Sequence, residues 1–193
     1  MGPLITLTTD FGEGSYVAQM KGVILSLRED ARVIDVTHHV AAGDVREAAY
    51  LLECSVPAFP EESVHIVVVD PGVGTARRAL AVRFARRTLV GPDNGVLTPF
   101  LDLADEIHEI TEERHFLPEV SPTFHGRDIF APVGVHLAGG ALLATVGPAL
   151  TEDPVKLHDL HAEGDSGLVL HVDRFGNLIT NFPSDVLLDR AEG

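Results

Sequence analysis

A chain of 193 residues has room for one well-cored domain and a small appendage, which excludes two full-sized domains. Hydrophobic residues make up 45% and charged residues 22%, so the low-hydrophobicity, high-charge signature of disorder is absent. With 29 acidic residues against 14 basic ones, the net charge of −15 repels polyanions and anionic membranes, arguing against nucleic-acid and membrane partners while tolerating a cationic small molecule.

The β-rich segment Leu4 to Thr9 ends in Asp10-Phe11-Gly12, a carboxylate where a strand gives way to a glycine-containing loop. Val17, Met20, Ile24 and Leu27 recur at helical spacing and predict an amphipathic helix starting near Ser15. A short strand over Val33 to Val36 leads into Thr37-His38-His39. Asp44 then opens a second helix with Glu47 three residues on, the spacing of a capping box. Its buried stripe is Val45, Ala48, Ala49, Leu52 and Val56, and Pro57 and Pro60 close it. Cys54, the only cysteine, reads as a small buried hydrophobe, and its solitude fits a reducing compartment. The apolar run Val64 to Val69, ending at Asp70, is the pattern of a strand buried on both faces of a parallel sheet.

Beyond Asp70-Pro71-Gly72-Val73-Gly74-Thr75, the stretches Ala79 to Phe84 and Thr88 to Val90 read as strands. The second runs into Gly91-Pro92-Asp93-Asn94-Gly95. Phe130, Val133 and Leu137 mark a helix opened by His125-Gly126 and stopped by Gly139-Gly140, with Pro132 tolerable only in its first turn. The polar segment from Glu152 to Gly164 reads as a linker, and two β-like runs then flank Asp173-Arg174-Phe175-Gly176-Asn177 as a hairpin. The pattern predicts an α/β sandwich with a mostly parallel sheet over residues 1–151, a linker over 152–164, and the start of a β module over 165–193. No signal-peptide pattern opens the chain, and no stretch approaches the ~18 apolar residues of a membrane span. A cytoplasmic protein is expected.

Ligands collect at the carboxyl ends of strands in an open α/β sheet, so Asp10, Asp70 and Asp93 suggest a shared crevice. Capping a turn is the alternative for each. The Asp70 to Thr75 loop lacks the endings of phosphate-cradling and dinucleotide loops. Its glycines let the backbone turn back and bring Arg77 beside Asp70, the partner a buried carboxylate needs. His125 falls at a helix start, where free N–H groups favour a neutral imidazole or a nearby anion. His38 and His39 follow, with packing or capping as their alternative.

Five stretches carry a resemblance: Thr8-Thr9-Asp10-Phe11-Gly12, Asp70 to Thr75 with Arg77, Pro92-Asp93-Asn94-Gly95, Phe124-His125-Gly126-Arg127-Asp128, and Phe175-Gly176-Asn177. In this order, from residue 5 to about 182, the sequence resembles the S-adenosyl-L-methionine hydroxide adenosyltransferases, relatives of the fluorinating and chlorinating enzymes. The resemblance implies attack of water on the 5′ carbon of S-adenosyl-L-methionine, giving adenosine and L-methionine, with no cofactor and no metal. It implies Asp70, Arg77 and His125 as the water-activating group and Asp10 on the ribose hydroxyls. Phe11 and Phe175 would be apolar walls, Asp173 and Asn177 contacts to the methionine or adenosine portion, and Asp93 and Asn94 substrate contacts or turn formers. It further implies a homotrimer with each site between the α/β domain of one chain and a neighbour's β domain. The family's β domain is a barrel continuing past the hairpin, so the module here is expected to be incomplete. Halogenating members carry hydroxyl or aromatic residues around the halide and an inserted loop that this sequence lacks, which points to water as nucleophile. Two rivals stand beside this reading: a metal-dependent hydrolase using Asp10, His38, His39, Asp70, Asp93 and His125, and a non-catalytic adenosine or S-adenosylmethionine binding protein.

Overall fold

The computed structural model describes residues 2–162 and 166–182; residues 163–164 of the expected linker, and 165 and 183–193 of the expected β module, lie outside them. The chain divides into two compact units, Met1–Lys156 and Leu157–Gly193. The division falls after Lys156 because the preceding residues are tied down. The Val155 N–H donates to Asp93 Oδ1 at 2.8 Å, Arg78 Nη2 donates to the Asp153 carbonyl at 2.8 Å, and Lys156 Nζ lies 2.5 Å from Asp102 Oδ1.

In the first unit, strands β1 (Leu4–Thr9), β2 (Arg32–Thr37), β3 (Val64–Val68), β4 (Ala79–Phe84), β5 (Arg87–Pro92) and β6 (Glu106–Glu109) form one sheet. Its order is β2-β1-β3-β5-β4-β6; the first four strands are mutually parallel, β4 runs antiparallel to them, and β6, antiparallel to β4, returns to their direction. The mostly parallel sheet of the sequence reading is therefore present. Every residue of β1 and β3 is buried, which is what a parallel sheet covered on both faces requires. Ile66 and Val68 pack with Ile5, Leu7, Met20, Ile24 and Phe130 on one face, whereas Val67 and Val69 pack with Leu52, Leu80, Leu89 and Phe100 on the other. Helices α1 (Ser15–Leu27) and α4 (Ala131–Ala138) supply the first face, α2 (Val45–Ser55) and the single turn α3 (Thr98–Leu101) the second. Ala85 and Arg86 turn β4 into β5 with φ of 44° and 62°, the left-handed pair a two-residue hairpin demands.

Asp44 caps α2 by accepting the Glu47 N–H at 2.9 Å, while Glu47 Oε2 accepts the Ala41 N–H at 2.7 Å, so the expected box reaches back into the loop. Cys54 corrects one expectation, for it is exposed. The buried stripe Ala48, Leu52, Val56 advances by four residues, and position 54 falls midway between two of its members, on the outer face. The helix expected from His125 also differs. Gly126–Phe130 form a π-helical turn, with the Ala131 N–H reaching the Gly126 carbonyl, and α4 begins only at Ala131. The five-residue spacing resets the ladder just before Pro132, which has no N–H to give.

His65 is 1% exposed in the middle of β3, its Nδ1 at 2.8 Å from Thr6 Oγ1 and its Nε2 at 2.9 Å from Ser63 Oγ. Burial, with Arg87 nearby, pushes its pKa down to about 4. The unfolded chain takes up a proton near 6.5, so between those values it binds more protons than the fold, and stability falls as pH drops from 6.5 toward 4. The loss approaches about 3 kcal/mol when complete. Thermal melts between pH 7 and 4.5 check it: His65→Gln should show a shallower decline than the wild type, and an equal decline contradicts the assignment.

In the second unit, β7 (Val169–Val172) and β8 (Leu178–Thr180) pair as an antiparallel hairpin. Asp173 shapes its turn by accepting the Phe175 and Asn177 N–H groups at 2.8 and 2.9 Å and Asn177 Nδ2 at 2.6 Å. Among the described residues this unit has two strands and not a barrel.

Candidate active site

A cavity of about 440 Å³ opens at the carboxyl ends of β1 and β3, the place an open parallel sheet reserves for ligands. Asp10, Phe11, Tyr16, Asp70, Phe124 and His125 are among its lining residues. Asp10 follows β1 and commits Oδ2 to the Gly43 N–H at 2.8 Å. Asp70 follows β3, and two consecutive turns reverse the chain behind it: Val73 N–H to the Asp70 carbonyl and Thr75 N–H to the Gly72 carbonyl, both at 3.1 Å.

That reversal returns Arg77 to Asp70. Arg77 Nε lies 3.1 and 3.0 Å from the two carboxylate oxygens and Nη2 lies 2.5 Å from Oδ2. The pair is buried, with side chains 4% and 11% exposed for Asp70 and Arg77. The guanidinium sits 5.3 Å from the Phe130 ring centre. The same Nη2 lies 2.8 Å from His125 Nδ1. A guanidinium is always a donor, so Nδ1 is the acceptor and the neutral ring carries its hydrogen on Nε2. Burial, then the Arg77 charge, hold the His125 pKa below its ordinary value against the pull of Asp70 and Asp128. The neutral imidazole is the form that fits this cluster.

Two aromatic residues of the cavity, Tyr16 and Phe124, were not identified as site residues from sequence. Phe11, Tyr16 and Phe124 form a triangle of rings with centroids 5.2 to 5.6 Å apart. Tyr16 is 54% exposed at the start of α1, and an aromatic outside that helix's apolar stripe was the available signal. Asp128 is a third omission. It is fully buried, pairs with Arg127 at 2.6 Å and accepts the Ser121 N–H at 2.8 Å, which fixes the loop ahead of Phe124 and His125.

Asp93 and Asn94 are not among the lining residues of the cavity. Asp93 accepts from Arg78 Nε and the Val155 N–H, both at 2.8 Å, and Asn94 Nδ2 donates to the Val69 carbonyl at 2.9 Å, so their polar atoms hold the protein together. His39 is exposed. Asp173, Phe175 and Asn177 belong to the second unit, where Phe175 projects at 84% exposure. Among the described residues, no three His, Cys, Asp or Glu side chains are grouped to hold a metal ion.

Sheet order, crevice position and a charged cluster at strand ends define an α/β protein with a cavity at the carboxyl edge of a mostly parallel sheet, where such folds bind their ligands. The family model for the SAM hydroxide adenosyltransferase N-terminal domain matches residues 5–147. An (R)-S-adenosyl-L-methionine hydrolase from Salinispora tropica is 48% identical over 188 residues, covering 91% of this chain and 70% of the relative. A crystal structure of a conserved protein from Thermotoga maritima superposes with a TM-score of 0.88 at 39% identity, covering 97% of this chain and 74% of that one. The chain belongs to the S-adenosyl-L-methionine hydroxide adenosyltransferase family, as its motifs led us to expect. A fluorinase from an Actinoplanes species is more distant, at 29% over 212 aligned positions, covering 93% of this chain and 71% of the relative. That alignment is longer than this chain, so the fluorinase carries residues with no counterpart here.

Proposed function

We propose that the protein hydrolyses S-adenosyl-L-methionine to adenosine and L-methionine by attack of water on the ribose 5′ carbon. The observation that carries this reading is the hydrogen-bonded Asp70–Arg77–His125 cluster, two of whose members line an aromatic-walled cavity. The Nε2–H of neutral His125 donates to the attacking oxygen and Arg77 fixes the ring that presents it. Asp70 takes the proton as the carbon–oxygen bond forms; the carbon–sulfur bond breaks and its electron pair stays on the methionine sulfur. Positive sulfonium and incipient hydroxide neutralise one another, so a water-poor cavity favours the transition state. Asp10 binds the ribose hydroxyls, and Phe11, Tyr16 and Phe124 enclose the apolar parts of the substrate. The acidic surface favours a cationic substrate over an anionic one. No step calls for a cofactor.

The proposal extends to a cytoplasmic homotrimer in which the Asp173-Phe175-Asn177 hairpin, part of a barrel-type module, closes a neighbour's site. The exposure of Phe175 and Leu178, 84% and 64%, supports it, as does the free thiol of Cys54. The test of the reaction is to incubate the purified chain with S-adenosyl-L-methionine, with and without EDTA, and quantify both products. Equal adenosine and methionine, indifferent to EDTA, are expected. Loss of product in EDTA would establish a metal hydrolase, and binding without turnover a binding protein.

A pH dependence follows from the tautomer. A proton on His125 Nδ1 displaces the Arg77 hydrogen bond, so the active form is the deprotonated ring. Its folded pKa lies below the ordinary 6.5, so turnover should be complete at neutral pH and fall through an acid limb below 6.5. A kcat profile with that limb at or above 6.5 contradicts the neutral-donor role.

A further inference from the structure

His38 follows β2 and is not among the residues lining the cavity, yet it holds the loop that supplies two of them. Its carbonyl accepts the Gly12 N–H at 2.7 Å. Its ring Nδ1 lies 2.9 Å from Thr9 Oγ1, and that oxygen accepts the Phe11 N–H at 3.3 Å. One residue thus grips the turn Thr9 to Gly12 at both ends, with Asp10 and Phe11 between the grips.

Charge sets the direction of these bonds. His38 Nε2 is 3.1 Å from Asp35 Oδ1, off the line of a good hydrogen bond but too close for a lone pair to face a carboxylate. Lys21 Nζ lies 2.6 Å from the other oxygen of Asp35. Burial alone would raise the Asp35 carboxyl, but Lys21 and His38 outweigh it and hold the group below the usual carboxylate range. Nε2 of the neutral ring therefore carries the hydrogen, Nδ1 accepts from the Thr9 hydroxyl, and the Thr9 oxygen keeps its lone pairs for Phe11. Thr9 is fully buried and the His38 side chain only 14% exposed, so the chain of bonds is shielded from water.

We infer that His38 is a positioning residue for substrate binding: through Thr9 and Gly12 it fixes the Asp10–Phe11 turn against the cavity without touching substrate. The inference rests on the S-adenosylmethionine reading of the site. Asparagine can place an amide atom where Nδ1 stands, whereas glutamine reaches the position of Nε2, so the pair separates the Thr9 contact from the Asp35 contact. His38→Ala, His38→Gln and Thr9→Val should each raise KM for S-adenosyl-L-methionine about 10-fold, the order of one lost buried hydrogen bond. Their kcat should change little, because Asp70, Arg77 and His125 lie on other loops. His38→Asn should recover most of the affinity. Hydrogen exchange should show the Phe11 amide opening faster in the three damaged variants than in the wild type. An unchanged KM, a loss confined to kcat, or a His38→Asn protein as poor as His38→Ala overturns the inference. If the wild type does not turn over S-adenosylmethionine, the reaction reading fails, and the exchange rates still decide: unaltered Phe11 protection in His38→Ala and Thr9→Val overturns the grip.

Discussion

Arg77→Ala should lower turnover of S-adenosyl-L-methionine by about 10²–10³-fold, the range for losing a preorganised group at a charged transition state. Arg77 joins the other two members of the cluster. It makes three contacts to Asp70 and the one that sets the His125 tautomer, so its removal takes both groups out of register. Without it the Asp70 carboxylate, 4% exposed, is a buried charge with no counterion, and the His125 ring is free to carry its hydrogen on either nitrogen. Breaking such a pair costs about 3–5 kcal/mol of stability, so kinetics should be read at a temperature where circular dichroism shows the variant folded. Arg77→Lys is the sharper experiment. It keeps the charge, but a single ammonium cannot span both carboxylate oxygens and Nδ1, so turnover should remain close to that of Arg77→Ala. Substrate affinity should fall far less in both, because Asp10 and the aromatic triangle are untouched. Wild-type turnover in Arg77→Lys would show that charge alone suffices and that the fork geometry is incidental.

Features written within a short span of chain were legible in the sequence. The buried run Val64 to Val69, the Asp44–Glu47 cap and the return of Arg77 to Asp70 each rest on a local rule: alternation lost to full burial, a three-residue capping interval, a glycine turn. What escaped depends on partners distant in sequence. β6 is a four-residue strand, Glu-Ile-His-Glu, held extended by β4 on one side and by a bridge from His108 to Ala149 on the other. The π turn before α4 sets Gly126 against β3, where a Cβ would stand 2.9 Å from Val68 Cγ1. Asp93 occupies a strand end as Asp10 and Asp70 do, yet Arg78, which follows Arg77 in sequence, claims it for the structure. Neighbouring arginines thus serve two aspartates in different roles, and nothing in residue type separates the two pairs.

Gly74→Ala should damage both stability and turnover although it removes no functional group. Gly74 has φ of 77°, and a Cβ there would lie 2.3 Å from the Pro122 carbonyl oxygen, a backbone atom with no rotamer to move. The Asp70 to Thr75 loop therefore rests on the segment leading into Phe124 and His125, and this approach sets how close Arg77 stands to His125. The left-handed conformation alone costs an alanine about 1–2 kcal/mol, and each kcal/mol lowers the melting temperature by about 2–4 °C in a chain of this size. Gly140→Ala separates strain from displacement. Its φ is 90°, but a Cβ there meets nothing within 4 Å, and it sits just past the carboxyl end of α4, among residues absent from the cavity lining. Both variants should melt earlier than the wild type. Only Gly74→Ala should also lose turnover, by about 10-fold or more, because about an ångström of misplacement at a reacting centre costs up to 10²-fold. Equal turnover in the two variants would mean that the loops adjust independently and that the Arg77–His125 contact is set elsewhere.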